Sequence, residues 1–134
     1  MTVRVELVAP DGEVWSGRAR MVIAKTLDGD IGILTGHPPV LGILAEGSLI
    51  RILDTEEENG SQKEMLAAVS SGFLAVRDDR VSILARQAQL GTQVDTAAAQ
   101  TQLEELSAAD GQPPGEQESV EVRYTRALLR AAGE

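Results

Sequence analysis

Short apolar segments that alternate with polar residues recur along residues 3–88, and turn residues separate them at regular intervals. At the start, Val3, Val5 and Leu7 alternate with Arg4 and Glu6, and an Asp-Gly pair of the kind that closes hairpins follows. The same pattern predicts further strands at 14–15, 20–25, 31–34, 40–44, 48–54, 63–69, 73–76 and 81–85. So many short strands with tight turns indicate an antiparallel β-sandwich or a flattened barrel.

The composition changes after residue 90 to Ala, Gln, Glu and Leu, which favour helices. A first helix is predicted at about 95–109, capped by Thr92 or Asp95. Its apolar residues form one narrow stripe, made of Ala99, Leu103 and Leu106. Within 111–115, a glycine followed by two prolines ends this helix, because proline cannot continue it.

A second helix is predicted at about 118–132, with an apolar face made of Val120, Tyr124, Ala127, Leu128 and Ala131. The chain is therefore expected to be an α+β protein: a β-sandwich at residues 1–89, then a two-helix hairpin at 90–134. Neither helix has enough apolar surface to be stable alone in water. We expect both helices to pack on the sandwich, on each other or on a partner.

Charge and composition exclude several classes of protein. The net charge of −9 argues against a nucleic-acid partner, which needs clustered Lys and Arg. Cysteine is absent, so no disulfide or thiolate metal site is expected. No apolar run approaches the roughly 20 residues of a membrane span, and any association with a membrane is expected to be indirect. Of the three aromatic residues, Trp15 and Phe73 are expected in the core.

The tail has an uneven charge distribution. Residues 90–134 hold eight acids but only three bases, Arg123, Arg126 and Arg130, which share one stripe of the predicted second helix. One interpretation is a solvated face with arginines placed favourably near the C-terminus of the helix. The other is a basic ridge that binds an acidic partner. The sequence leaves both open.

Glycines and prolines are concentrated between Gly29 and Leu41. The glycines allow positive φ, and Pro38-Pro39 favours an extended entry into Val40 and Leu41. The spacing matches no dinucleotide or phosphate loop. His37 has no predicted nucleophile or ligand set nearby, so a structural or interface role is expected, and we predict neither catalytic residues nor a metal site.

This stretch resembles the conserved motif of the epsilon subunits of bacterial rotary, F-type ATP synthases. The likeness lies in glycine-acid-apolar-glycine at 29–32 and in Gly36-His37, with Thr35 where that family usually has proline. Two further blocks, at 5–17 and 71–85, are similar to the family's first hairpin and its later strands. The resemblance covers nearly the whole chain.

The resemblance implies a non-catalytic subunit at the foot of the central stalk, peripheral to the cytoplasmic face of the bacterial cell membrane. Its partners would be the gamma subunit, the c-ring and the alpha/beta catalytic head. It would couple ion-driven rotation of the ring to ATP synthesis and restrain ATP hydrolysis through the helices. Asp30, His37, Pro38, Val40 and Leu41 would face the c-ring or gamma. The tail arginines Arg123, Arg126 and Arg130 would contact an acidic segment of beta.

Some epsilon subunits bind ATP through a motif with an aliphatic residue, Asp, two variable residues, Arg and Ala. The corresponding segment here keeps Val94 and Asp95 but has Ala98 at the arginine position. Since the guanidinium is the best phosphate ligand in that motif, the resemblance implies weak or absent ATP binding and no required cofactor. The alternative hypothesis is a small β-sandwich ligand-binding or adaptor protein whose helical tail mediates oligomerisation.

Overall fold

A computed structural model describes residues 1–57, 60–110 and 119–133. Within them, ten strands precede a short 3₁₀ turn at Gly91–Gln93 and two helices. The strands are β1 (Val3–Ala9), β2 (Gly12–Ala19), β3 (Met21–Thr26), β4 (Gly29–Ile33), β5 (Val40–Ile43), β6 (Ser48–Glu57), β7 (Gly60–Val69), β8 (Gly72–Arg77), β9 (Arg80–Ala85) and β10 (Ala88–Leu90); the helices are α1 (Thr96–Asp110) and α2 (Val120–Ala131).

The strands form one hydrogen-bonded network that folds over itself as a β-sandwich. Their order is β10-β7-β6-β2-β1-β9-β8-β5, with β3 joining β6 and β4 pairing with β3. The predicted antiparallel sandwich is confirmed, with one difference: β1 and β9 are parallel. Hairpins make neighbouring strands antiparallel, whereas β9 reaches β1 through a long connection that imposes no such direction.

The core follows from the alternation along the strands. Val3, Val5 and Leu7 are fully buried in β1, while Arg4 between them is exposed. Burying each such aliphatic side chain contributes about 1.5–3 kcal/mol. Trp15 belongs to this core, as predicted. The same prediction is wrong for Phe73, which remains 52% exposed because its position in β8 is out of phase with the buried Leu74 and Val76.

The first helix begins as the sequence predicted. Of the two candidate caps, Asp95 is the one used: its Oδ1 accepts a hydrogen bond from the Ala98 amide at 3.1 Å. In the stripe, Ala99 is buried and Leu103 and Leu106 are half-buried. The predicted stop at 111–115 lies outside the described residues.

The second helix begins after Ser119, whose hydroxyl oxygen accepts a hydrogen bond from the Val122 amide at 3.2 Å. Four of the five residues of its predicted face pack on the sandwich: Tyr124, Ala127, Leu128 and Ala131 form a cluster with Ala68 of β7. The fifth, Val120, is half-buried and is not part of this cluster. A second buried stripe, Val122, Thr125 and Leu129, was not predicted. Since α1 packs against α2, this stripe is the side available to α1. Neither of the two described helices is both long and apolar enough to cross a bilayer.

The strand β10 was also missed, because its three residues carry too little pattern to be recognised. It pairs with β7, with Leu90 opposite Ala67. The strand therefore extends one residue beyond the predicted boundary at residue 89. Leu90 belongs to the sandwich core.

Candidate functional site

An apolar row crosses the outer face of the sandwich. Ile43 of β5 lies opposite Phe73 of β8, and Phe73 lies opposite Leu84 of β9. Directly paired residues point to the same side of a sheet, so the three side chains are adjacent. They are 53%, 52% and 54% exposed, and Leu41, two residues from Ile43 on the same strand, is 74% exposed. We call Leu41, Ile43, Phe73 and Leu84 the apolar row.

Only part of this row was predicted. Leu41 was expected at an interface and lies in the row, whereas its neighbour Val40 is half-buried and packs against the core. Ile43, Phe73 and Leu84 were missed. A signal for Phe73 and Leu84 exists in the sequence, because both are large and apolar at positions out of phase with the buried residues of their strands.

His37 lies in a turn at one end of this sheet. Its Nδ1 is 2.7 Å from the carbonyl oxygen of Pro38, and because a carbonyl only accepts, Nδ1 donates in this contact. The amide of Gly36 donates to Oδ1 of Asp79 at 2.7 Å, which ties the turn to the connection between β8 and β9. His37 is half-buried and Pro38 is exposed beside it.

Asp30 lies at the opposite end. It is opposite Lys25 in the register of β3 and β4, next to the turn that joins these strands. The amide of Leu27 in that turn donates a hydrogen bond to the carbonyl of Ile43 at 3.0 Å. His37 instead precedes Val40, at the other end of β5. The structure therefore separates Asp30 from His37 and does not bring them into one site.

Asp30 shares a groove with the tail arginines. The groove has a volume of about 610 Å³, and Arg123, Arg126 and Arg130 of α2 line one side. Lys25, Asp30, Glu46 and Arg51 line the sandwich side. The predicted stripe of three arginines thus exists, but in this arrangement it faces a groove of the chain itself.

Two groups near this groove have shifted pKa values. A hydrogen bond from the Arg51 guanidinium to the Glu64 carboxylate, together with their attraction, raises the pKa of Arg51. Burial raises the pKa of the Tyr124 phenol, because the charged form is poorly solvated between α2 and the sheet. Neither group has an arrangement suited to acid–base chemistry at neutral pH.

The two residues of the degenerate ATP motif have local roles in the fold. Asp95 caps α1, as described above, and Val94 packs against the cluster between α2 and β7. Ala98 is exposed on the first turn of α1. These roles account for Val94 and Asp95 without a bound nucleotide.

Comparison with known proteins identifies the family. Residues 2–91 match the family model of the ATP synthase delta/epsilon chain β-sandwich domain. The ATP synthase epsilon chain of Thermobifida fusca is 45% identical over 130 residues, which cover 96% of this chain and 90% of the relative. That of Frankia casuarinae is 48% identical over 90 residues, which cover 67% of this chain and 99% of the relative.

The solved structures add a likeness of fold. A chain from the Euglena gracilis mitochondrial ATP synthase OSCP/F1/c-ring structure superposes with a TM-score of 0.66 at 22% identity, covering 98% of this chain and 79% of that one. A chain from the Tetrahymena thermophila mitochondrial ATP synthase central stalk/c-ring structure superposes with a TM-score of 0.53 at 18% identity, covering 96% of this chain and 89% of that one. With its sandwich matched to the family model and its relatives aligned over most of their length, this chain belongs to the family of ATP synthase epsilon chains.

Proposed function

We propose that this chain is the epsilon-type stalk subunit of a bacterial F-type ATP synthase, without catalytic activity of its own. It couples ion-driven rotation of the c-ring to ATP synthesis in the catalytic head. Membership of the epsilon family supports this proposal and argues against the alternative of a ligand-binding or adaptor protein. We place it at the cytoplasmic face of the membrane, associated through the c-ring complex.

The apolar row is the surface that we assign to the gamma subunit. Four large apolar side chains, about half to three-quarters exposed, lie together on the rigid strands β5, β8 and β9. Contiguous exposed apolar surface of this kind marks protein interfaces. His37 and Pro38 lie at the end of the same sheet and extend this surface.

The c-ring contact is assigned to the opposite end, at the β3–β4 turn. Leu27 there is 67% exposed, and Asp28 and Asp30 are exposed beside it. An apolar residue flanked by carboxylates fits a polar loop with basic groups. The separation of Asp30 from His37 supports two distinct contacts, one for each partner.

The tail is the proposed restraint on ATP hydrolysis. In the docked arrangement Arg123, Arg126 and Arg130 line the groove on the sandwich. To contact an acidic segment of beta, α2 must leave the cluster around Ala68. Because three of the five buried side chains of that cluster are alanines, the apolar area that becomes exposed to water when α2 is released is modest. ATP is not expected to control this step, since Ala98 replaces the arginine of the nucleotide motif.

Co-purification tests the proposal. A tagged chain isolated from its own cell membranes should recover the alpha, beta, gamma and c subunits. Phe73→Glu should reduce this recovery strongly, because it places a charge in the apolar row. Gln89→Glu is the control: it places the same charge at an exposed position on β10.

The outcomes separate the parts of the proposal. A wild-type preparation that lacks the other subunits contradicts the stalk function. Normal recovery with wild type and with Phe73→Glu leaves the stalk function intact but removes the apolar row as its docking surface.

A further inference from the structure

Four arginines stand side by side on the same outer face as the apolar row. Arg77 of β8 is opposite Arg80 of β9, Arg80 is opposite Arg4 of β1, and Arg4 is opposite Arg18 of β2. All four side chains are exposed. The series ends at Arg18, whose register partner on β6 is Glu56. We call Arg77, Arg80, Arg4 and Arg18 the arginine row.

The fold itself does not explain this row. Like charges directly opposite each other destabilise a sheet, and this chain has a net charge of −9 with only 12 basic residues to distribute. The ion pairs within reach are weak and exposed: Arg4–Glu6 at 3.8 Å and Arg77–Asp78 at 3.5 Å. Arg80 forms no ion pair with any residue whose side chain the structure describes. An arrangement that is unfavourable in isolation is accounted for by a binding partner that is negatively charged.

The space between the two rows has the shape of a shallow trough. Ala75 and Ser82 lie opposite each other between the arginines and the side chains of Phe73 and Leu84, and Leu41 of the apolar row continues their line on β5. Together with Arg77, Asp78 and Arg80 they line an open groove of about 630 Å³. Arg80 and Leu84 are four residues apart on β9, which corresponds to about 13 Å along the strand. That width matches an α-helix with its side chains, about 10–12 Å across.

We propose that an acidic amphipathic α-helix of the neighbouring stalk subunit docks across these strands, with carboxylates against the arginine row and apolar side chains against the apolar row. This inference rests on the proposed stalk function and adds the secondary structure and charge of the partner segment. The five strands from β5 to β2 span about 19 Å from first to last. A helix of about 13 residues covers that length.

The binding test uses the full chain and the enzyme complex from which the native subunit has been stripped. Arg18→Gln combined with Arg80→Gln should weaken rebinding at least tenfold at low salt, and the difference from wild type should shrink as salt screens the contact. Lys63→Gln with Arg86→Gln is the matched control, because both residues are exposed, lie outside the row and remove the same charge. The control should change affinity less than twofold.

Stability measurements exclude a merely structural effect. Since the row is repulsive, removing two of its charges should leave the thermal midpoint of the isolated chain unchanged or raise it. A lower midpoint for the double variant, or equal loss of binding in the row variant and the control, would overturn the proposal. Failure of the wild-type chain to rebind would instead contradict the stalk function.

A cross-link identifies the occupant. The chain has no cysteine, so Ser82→Cys places a single thiol in the middle of the trough. A thiol-to-any-residue cross-linker should capture a partner peptide that is helical, with carboxylates along one side and apolar residues along the other. Capture of a basic or extended segment overturns the proposal. Binding to vesicles that contain anionic lipid is a second test. The proposal is also overturned if the wild-type chain binds these vesicles and the double variant does not, while the double variant rebinds the enzyme normally.

Discussion

Two threonines show how the same side chain has opposite consequences in different surroundings. The hydroxyl of Thr35 is buried and has no hydrogen-bond partner among the described residues. The hydroxyl of Thr26 donates to the Gly29 carbonyl at 2.8 Å and accepts from the Asp28 amide at 3.2 Å. A buried hydroxyl without a partner costs free energy, while one that is fully bonded stabilises its turn.

Replacing each threonine with the isosteric valine should therefore shift stability in opposite directions. We expect Thr35→Val to raise the free energy of unfolding by about 1 kcal/mol and Thr26→Val to lower it by about 1–3 kcal/mol. Chemical denaturation of the isolated chain measures both. A loss of stability in both variants would show that the Thr35 hydroxyl has a partner in solution.

Tyr124 makes the docking of α2 sensitive to alkaline pH. Burial raises its pKa above the ordinary value of 10.0, so at high pH the unfolded chain loses this proton before the folded chain does. The folded state then holds more protons, and the contribution to stability is complete below pH 10 and declines as pH rises through the folded pKa. Unfolding between pH 9 and 11 should show a steeper loss for wild type than for Tyr124→Phe. Parallel curves would contradict this prediction.

At the scale of residues, the sequence predicted the local role of a side chain better than its position relative to residues elsewhere in the fold. Asp95 was recognised as a possible cap because the helix formers start after it, and this depends only on local sequence. Asp30 and His37 were expected together because they are close in the motif. The strand β4 and the turn after it carry the chain from one end of the sandwich to the other, and this separation is a property of the tertiary structure.

Among the elements, the C-terminal end of α2 packs closely on the backbone at Gly91, where the tail leaves the sandwich. A Cβ added to Gly91 would lie 2.0 Å from the carbonyl oxygen of Ala131, at the end of α2. Backbone cannot move aside as a side chain does, so Gly91→Ala should displace the C-terminal end of α2 while the sandwich stays folded. Gly47 has a similar contact with the backbone at Arg123, but its φ of +60° adds strain of its own.

Hydrogen exchange distinguishes the effects on the two parts of the chain. In Gly91→Ala we expect faster exchange of the α2 amides and unchanged protection of β1 and β9. Gly32→Ala is the control, because its added methyl would meet only the terminal methyl of the flexible Met21 side chain. Unchanged protection of α2 in Gly91→Ala would mean that the helix accommodates the methyl without leaving the sandwich.

The strand positions were predictable because alternation and turn residues act locally, as in β1 and β9. The parallel pairing of these two strands was not, since it depends on which distant segments meet. The second buried stripe of α2, with Val122 and Leu129, was missed for a related reason: it needs the neighbouring helix to cover it. Periodicity identifies one apolar face well, and a second face breaks the pattern.

For the whole molecule, the sandwich should be able to fold without the tail. Its core cluster runs from Val3 to Leu90 and contains no residue of either helix. A chain ending at Leu90 should therefore unfold cooperatively, with some loss of stability where Ala68, Leu49 and Leu66 lose the cover of α2.

If the tail restrains ATP hydrolysis, removing the helices and releasing them from the sandwich should change the hydrolysis rate in opposite directions. If free α2 restrains the catalytic head through Arg123, Arg126 and Arg130, a complex carrying the chain that ends at Leu90 should hydrolyse ATP faster than wild type. A complex carrying Gly91→Ala should hydrolyse it more slowly, because the methyl disfavours the docked arrangement and raises the population of released tail. Both rates are measured on complexes with equal subunit content. Equal changes in the same direction, or no change in either, would mean that the helices do not act on the head by leaving the sandwich.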